Sequence, residues 1–209
     1  MLDRHLHPRL KPWLHRAAGV MDRPSMTPDG ITLIGFAVGV LALPFLALGW
    51  FGAALAAIVL NRICDGLDGA LARRRGLTDA GGFLDIALDF LFYALVPFGF
   101  VLADPLNNAL AGAWLLFAFI GTGSSFLAFA ALAAKHNMDN PGYAHKSFYY
   151  LGGLTEGTET ILLFVLCCLF PAYFSGLAWI FGALCWLTTF NRVWAGYTAL
   201  KSIRADRVI

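Results

Sequence analysis

Six apolar runs, at roughly residues 30–49, 51–73, 82–103, 109–134, 148–170 and 173–199, take up most of this 209-residue chain. A helix needs about 20 predominantly apolar residues to cross a hydrocarbon core, so each run is long enough, or nearly so, to span a bilayer. In lipid the backbone must satisfy its own hydrogen bonds, which makes helix the expected state of every run. The composition agrees: 59% of the residues are hydrophobic and 13% charged, against about 25% charged in a soluble domain. The predicted fold class is an all-α integral membrane protein with six transmembrane helices.

The breaks between runs are short. They contain Gly49 and Trp50, the tripeptide Asp104-Pro105-Leu106, and Pro171, while residues 135–147 (KHNMDNPGYAHKS) form a polar connection. Basic residues precede the first run (Arg4, Arg9, Lys11, Arg16, Arg23) and follow the second (Arg73, Arg74, Arg75). They also bracket the polar connection (Lys135, Lys146) and end the chain (Lys201, Arg204, Arg207). With six crossings every basic segment falls on one side, so both termini are expected in the cytoplasm. Ahead of the first run Leu2, Leu6, Leu10, Trp13, Leu14, Ala17, Val20 and Met21 recur at helical spacing with Arg and His between them. That is the pattern of an amphipathic juxtamembrane helix lying on the cytoplasmic leaflet. Residues 1–29 therefore read as an interfacial segment and 30–209 as the membrane domain. Cys64, Cys167, Cys168 and Cys185 all lie in apolar runs without metal-ligand spacing and read as packing residues. No nucleic-acid partner is expected.

The segment CDGLDGALARRRGLTDAGGFLDIALDF, residues 64–90, breaks the apolar pattern. Asp65 and Asp68 are three apart in the second run, Asp85 and Asp89 four apart in the third, and either spacing puts a pair on one helix face. The short connection makes the two helices antiparallel neighbours, so the acidic faces meet near the cytoplasmic surface, while Asp79 is expected in the loop. An ionised carboxylate within a spanning helix costs about 2.5–3.5 kcal/mol on insertion scales. Four of them call for cations. Hard oxygen ligands suit Mg2+ or Mn2+, and two rigid helices offer room for two ions. Gly66, Gly69, Ala70, Ala72, Gly81 and Gly82 leave space beside the aspartates, and Arg73, one turn beyond Gly69, is suited to phosphate. A cation-transport path is the competing reading; all four carboxylates sit towards one face, and no relay of charged residues leads to the other.

The pattern Asp65-x-x-Asp68-Gly69-x-x-Ala72-Arg73, then seven residues, then Gly81-x-x-x-Asp85-x-x-x-Asp89, resembles the signature of the CDP-alcohol phosphatidyltransferase family. The family usually has eight residues in the spacer. The resemblance covers nearly the whole chain and is strongest to bacterial inner-membrane members. It implies six transmembrane helices after a juxtamembrane helix, cytoplasmic termini and, often, a homodimer. It also implies transfer of a phosphatidyl group from CDP-diacylglycerol to a small alcohol with release of CMP. By the same resemblance Asp65, Asp68, Asp85 and Asp89 would hold two divalent ions, with Asp89 also the general base, and Gly69, Ala72, Arg73 and Gly81 would line the CDP pocket. Pro28-Asp29-Gly30-Ile31-Thr32 is similar to a Pro-Asn-x-x-Thr element of the family; Thr32 is a candidate CDP contact, and Pro28-Asp29 serves equally as a capping turn. Transfer of a CDP-linked head group to diacylglycerol and a non-catalytic CDP-lipid-binding role are the alternatives.

For the acceptor, the fifth run opens with LTEGTETI, which places Glu156 and Glu159 three apart near its cytoplasmic end. They would bond the hydroxyls of a polyol or the cation of an amino alcohol, or else pair with Lys146, Arg192 or the basic N-terminal segment. Arg62, Lys135, Lys146 and Arg192 are candidates for the phosphate of a phosphorylated acceptor and, equally, for helix-end anchors.

Overall fold

The computed structural model describes residues 12–20, 22–23, 26–136 and 153–206, with side chains to residue 201. Within these residues the chain is helical and contains no strand. Helix α1 covers residues 12–20, followed by α2 (Pro28–Val40), α3 (Ala42–Ala47), α4 (Phe51–Arg75) and α5 (Asp79–Ala103). After these come α6 (Pro105–Lys135), α7 (Gly157–Leu169), a 3-10 turn (Pro171–Tyr173) and α8 (Phe174–Asp206). The apolar spacing at Leu2, Leu6 and Leu10 and the connection carrying Lys146 lie outside the described residues.

Local chemistry sets the boundaries. Thr27 caps α2 by accepting from Gly30 N at 3.1 Å, with Pro28 at the first helical position and Asp29 in the first turn. Helix α4 ends at Gly76, whose φ of 103° suits only a residue without a Cβ. Thr78 then caps α5 by accepting from Gly81 N at 3.1 Å. The turn is thus Gly76 to Thr78, and Asp79, expected in the loop, is instead the first residue of α5. A carboxylate there faces the positive end of the helix dipole. The seven residues between Arg73 and Gly81 thus hold the end of α4, this turn and the start of α5. Asp104 caps α6 in the same way, accepting from Asn107 N at 3.3 Å.

Among the described residues, four segments are long and apolar enough to cross a membrane: Pro28–Ala47, Asp79–Ala103, Pro105–Lys135 and Pro171–Lys201. Helix α4 has the length, 25 residues, but carries Asn61, Arg62, Asp65, Asp68 and Arg73 to Arg75 among its apolar positions. The fifth run differs most from expectation. Residues 153–156 are not helical, and α7 itself has 13 residues, about 20 Å of helix against a hydrocarbon core of about 30 Å.

Packing is most extensive between α6 and α8 and between α2 and α4. The core centres on Phe92, Phe100, Phe164, Phe174, Leu46, Ile58 and Leu115, all nearly inaccessible, with Phe100 and Phe174 stacked at 4.6 Å. A stripe of small residues brings α2 onto α4. A Cβ on Gly35 would stand 2.5 Å from Cys64 Cβ, and one on Gly39 would stand 2.9 Å from Asn61 Nδ2. The sequence GFAVG, residues 35–39, is a Gly-x-x-x-Gly element that lets two backbones approach. A smaller core of Ala18, Ile31, Ala70 and Leu71 docks α1 against α2 and α4. Beyond it, Asp22 pairs with Arg75 at 2.7 Å and Arg74 at 3.4 Å, and Arg75 also donates to the Met26 and Arg23 carbonyls.

Candidate active site

The close approach of α2, α4 and α5 builds an acidic site at one end of the bundle. Asp65 and Asp68 project from α4 and Asp85 from α5, and one oxygen from each lies within 4.8 Å of the others. Asp68 is buried at 4% exposure and accepts a 2.5 Å hydrogen bond from Thr32 Oγ1 of α2. Three convergent hard oxygen donors, two of them partly accessible, form a set that fits Mg2+ or Mn2+. Asp89, one turn beyond Asp85, is not in that group of three. Its Oδ1 accepts from Arg62 Nη2 at 2.7 Å, and Arg62 Nη1 lies 3.7 Å from Asp65 Oδ2.

These residues line a cavity of about 1510 Å³ that opens between α2, α4, α5, α6 and α7. Thr32, Gly69, Ala72, Arg73 and Gly81, the residues expected around CDP, all line it. Two of the glycines have a steric reason. A Cβ on Gly69 would press on Arg73 Nη1 at 3.3 Å, and one on Gly81 would meet Asp29 Oδ1 and Thr78 Oγ1 at 3.0 Å. Gly81 therefore lets the first turn of α2 sit against the first turn of α5. Thr32 is engaged with Asp68, a contact within the protein that its candidate role at CDP did not include.

The acceptor candidates divide. Glu156 and Arg192 line the cavity; Glu159 and Lys135 do not. Glu156 and Glu159 form a reciprocal capping box at the start of α7, with Glu156 N donating to Glu159 Oε2 at 3.1 Å. Gly153 N also donates to Glu156 Oε1 at 3.0 Å. Arg192, 7% exposed, donates from Nη1 to the Thr122 carbonyl at 3.2 Å. Thr188, fully buried on α8, ties the approach to α7 by accepting from Leu154 N and Thr155 N at 3.2 Å each. Glycine is required at 153, where a Cβ would stand 2.3 Å from Thr188 Cγ2. Sequence reasoning passed over Asn61, Tyr93 and Thr188. The signal for Asn61 was a polar residue inside an apolar run, as it was for the aspartates; Tyr93 and Thr188 carried none.

The sequence model of the CDP-alcohol phosphatidyltransferase family matches residues 25–194, the span that holds every one of these site residues. The chain belongs to the CDP-alcohol phosphatidyltransferase family. Among its relatives, "Inner membrane protein YnjF" of Escherichia coli (strain K12) is 80% identical over 98% of this chain and 99% of its own. "Archaetidylinositol phosphate synthase" of Pyrococcus horikoshii is 29% identical over 94% and 97%. Two crystal structures of phosphatidylinositol phosphate synthase (PgsA1) of Mycobacterium tuberculosis share the fold at 21% identity. The complex with manganese and citrate superposes with a TM-score of 0.70 over 88% of this chain and 89% of that one. The form with CDP-DAG bound does so at 0.67 over 88% and 94%. A CDP-alcohol phosphatidyltransferase is an enzyme.

Proposed function

We propose that the protein transfers a phosphatidyl group from CDP-diacylglycerol to a small alcohol and releases CMP. The observation that carries this reading is the convergence of Asp65, Asp68 and Asp85, with Asp89 beside them, on the wall of one large cavity. Asp65, Asp68 and Asp85 would hold a divalent ion, and a second would require Asp89. Bound there, Mg2+ or Mn2+ would neutralise the diphosphate and polarise the phosphoryl group.

The protein's own residues do the rest. Arg73 pairs with donor phosphate, and Gly69, Ala72 and Gly81 leave the backbone close to the nucleotide. Thr32 holds Asp68 in its rotamer. Asp89 takes the proton of the acceptor hydroxyl as the new P–O bond forms and the bond to the CMP oxygen breaks. Where α5, α6 and α7 line the cavity, its walls include Phe90, Ala94, Leu116, Phe117, Ile120 and Leu162, apolar surface suited to an acyl chain.

On the acceptor side Arg192 and Glu156 are the residues we assign, with Arg192 directed to an acceptor phosphate. The relatives named archaetidylinositol phosphate synthase and phosphatidylinositol phosphate synthase support testing phosphorylated polyols first. We further propose six crossings with α4 and α7 completing the bundle, α1 on the cytoplasmic leaflet, both termini in the cytoplasm, and a homodimer in the bacterial inner membrane. The name of the Escherichia coli relative supports the last location.

The test is CMP release by purified protein in detergent with CDP-diacylglycerol, Mg2+ or Mn2+, and a panel of free and phosphorylated alcohols. Metal-dependent CMP and one new lipid with one or a few acceptors are expected. Binding of CDP-diacylglycerol without CMP release from any acceptor would replace the enzyme by a lipid-binding protein. Turnover that survives a chelator would remove the metal chemistry.

A further inference from the structure

Arg62, read from the sequence as a candidate for an acceptor phosphate or a helix-end anchor, lines the cavity and, with Asn61, fixes a cation beside the acidic site. Every nitrogen of the Arg62 guanidinium has a partner. Nε and Nη2 donate to Asn61 Oδ1 at 2.8 and 2.6 Å, Nη2 to Asp89 Oδ1 at 2.7 Å, and Nη1 to the Tyr93 hydroxyl at 3.4 Å. The group lies 4.7 Å from the Phe92 ring centroid and 5.5 Å from that of Tyr93. Asn61, 4% exposed, is held in turn by donating to the Gly35 carbonyl at 2.9 Å. Position 62 is mid-helix in α4, so Arg62 is not a helix-end anchor.

A guanidinium keeps its proton throughout the working range of a protein. Arg62 is therefore a permanent charge built against Asp89. A divalent ion that took Asp89 Oδ1 as a ligand would lie about 2.0–2.2 Å from that oxygen, competing with a donor already bonded to it and repelled by its charge. Asp65, Asp68 and Asp85 converge without help from Asp89.

We infer that Arg62 reserves Asp89: the resting chain takes one divalent ion on Asp65, Asp68 and Asp85, and a second gains Asp89 only when Arg62 leaves it. An anionic group of a substrate is the chemistry that draws Arg62 away, by offering the guanidinium another partner. This rests on the metal reading of the acidic site.

The test counts ions rather than turnover. Mn2+ is titrated into the purified full chain in detergent, without nucleotide, and free Mn2+ is followed by electron paramagnetic resonance. The wild type is expected to bind one tight equivalent, Arg62→Gln two, and Asp89→Asn one. Two tight equivalents in the wild type, or loss of the tight equivalent in Asp89→Asn, overturn the inference while leaving the metal site in place. So does a folded Arg62→Gln that still binds one. If Arg62→Gln does not fold, the wild-type count together with Asp89→Asn decides. Absence of tight binding in the wild type overturns the metal reading and this inference with it.

Discussion

Thr32 shows how a single hydroxyl can matter to a site made of carboxylates. It reaches from α2 to the most buried of the acidic residues, Asp68, at 2.5 Å. Groups that orient metal ligands typically cost about 10–100-fold in metal affinity or activity when lost. Thr32→Val, which keeps the shape and removes the hydroxyl, should weaken Mn2+ binding by about that factor, and Thr32→Ser should restore it. Equal Mn2+ affinity in Thr32→Val and wild type would show that Asp68 needs no such partner. The Pro-Asp-x-x-Thr element marks the same residue in the sequence, but the proximity of α2 to α4 is what reveals its partner.

At the scale of elements, the α2–α4 seam and the start of α7 carry separate tasks. Overpacking a close helix contact costs about 1–3 kcal/mol or more, and a Cβ on Gly35 has only 2.5 Å to Cys64 Cβ. Gly35→Val should therefore lower the thermal midpoint in detergent and weaken Mn2+ binding together, because separating α2 from α4 also carries Thr32 off Asp68. At α7, losing half of the capping box costs about 0.5–2 kcal/mol. Glu159→Ala should reduce stability by that order with little change in the KM for the acceptor, while Glu156→Gln should raise that KM. A large KM change in Glu159→Ala would put its carboxylate at the substrate. The α1 tether follows pH: the Arg75 hydrogen bond, aided by Arg74, holds the Asp22 carboxyl below its ordinary 3.8. A depressed pKa stabilises the folded form above the unfolded value and loses that contribution as pH falls through the folded one. Cleavage by an acid-active protease in the α1–α2 linker should rise only below about pH 3.8 in the wild type, and a neutral protease should cut Asp22→Asn modestly faster than the wild type at neutral pH, because an exposed ion pair contributes little and the apolar contacts of Ala18 remain.

For the molecule as a whole, the proposed six-crossing bundle sets the acidic site, the basic segments and both termini on one side. Fluorescent-protein fusions at either end should be bright and alkaline-phosphatase fusions inactive, since these reporters mature on opposite sides of the inner membrane. Active phosphatase at one end alone would demand an odd number of crossings. Helix α7 is the element on which that count turns, being 13 residues long where the apolar run had promised a full span.

A helical membrane protein with an acidic cluster is legible in the order of the residues alone. Long apolar runs leave the backbone no other way to satisfy its hydrogen bonds in lipid, and carboxylates at i, i+3 and i, i+4 must share a helix face. That order also determines the family, because the signature is contiguous and its spacings are those of helix faces. Where residues meet across helices lies beyond it. The packing of the helices joins Thr32 to Asp68, sets Arg62 on Asp89, and leaves Lys135 off the cavity, and the local turn into α7 engages Glu156 and Glu159 in a cap. Those contacts depend on how closely the helices approach and on their rotation about their axes, and both are decided by side-chain packing between segments far apart in the chain, such as Gly35 against Cys64 and Thr188 against the approach to α7.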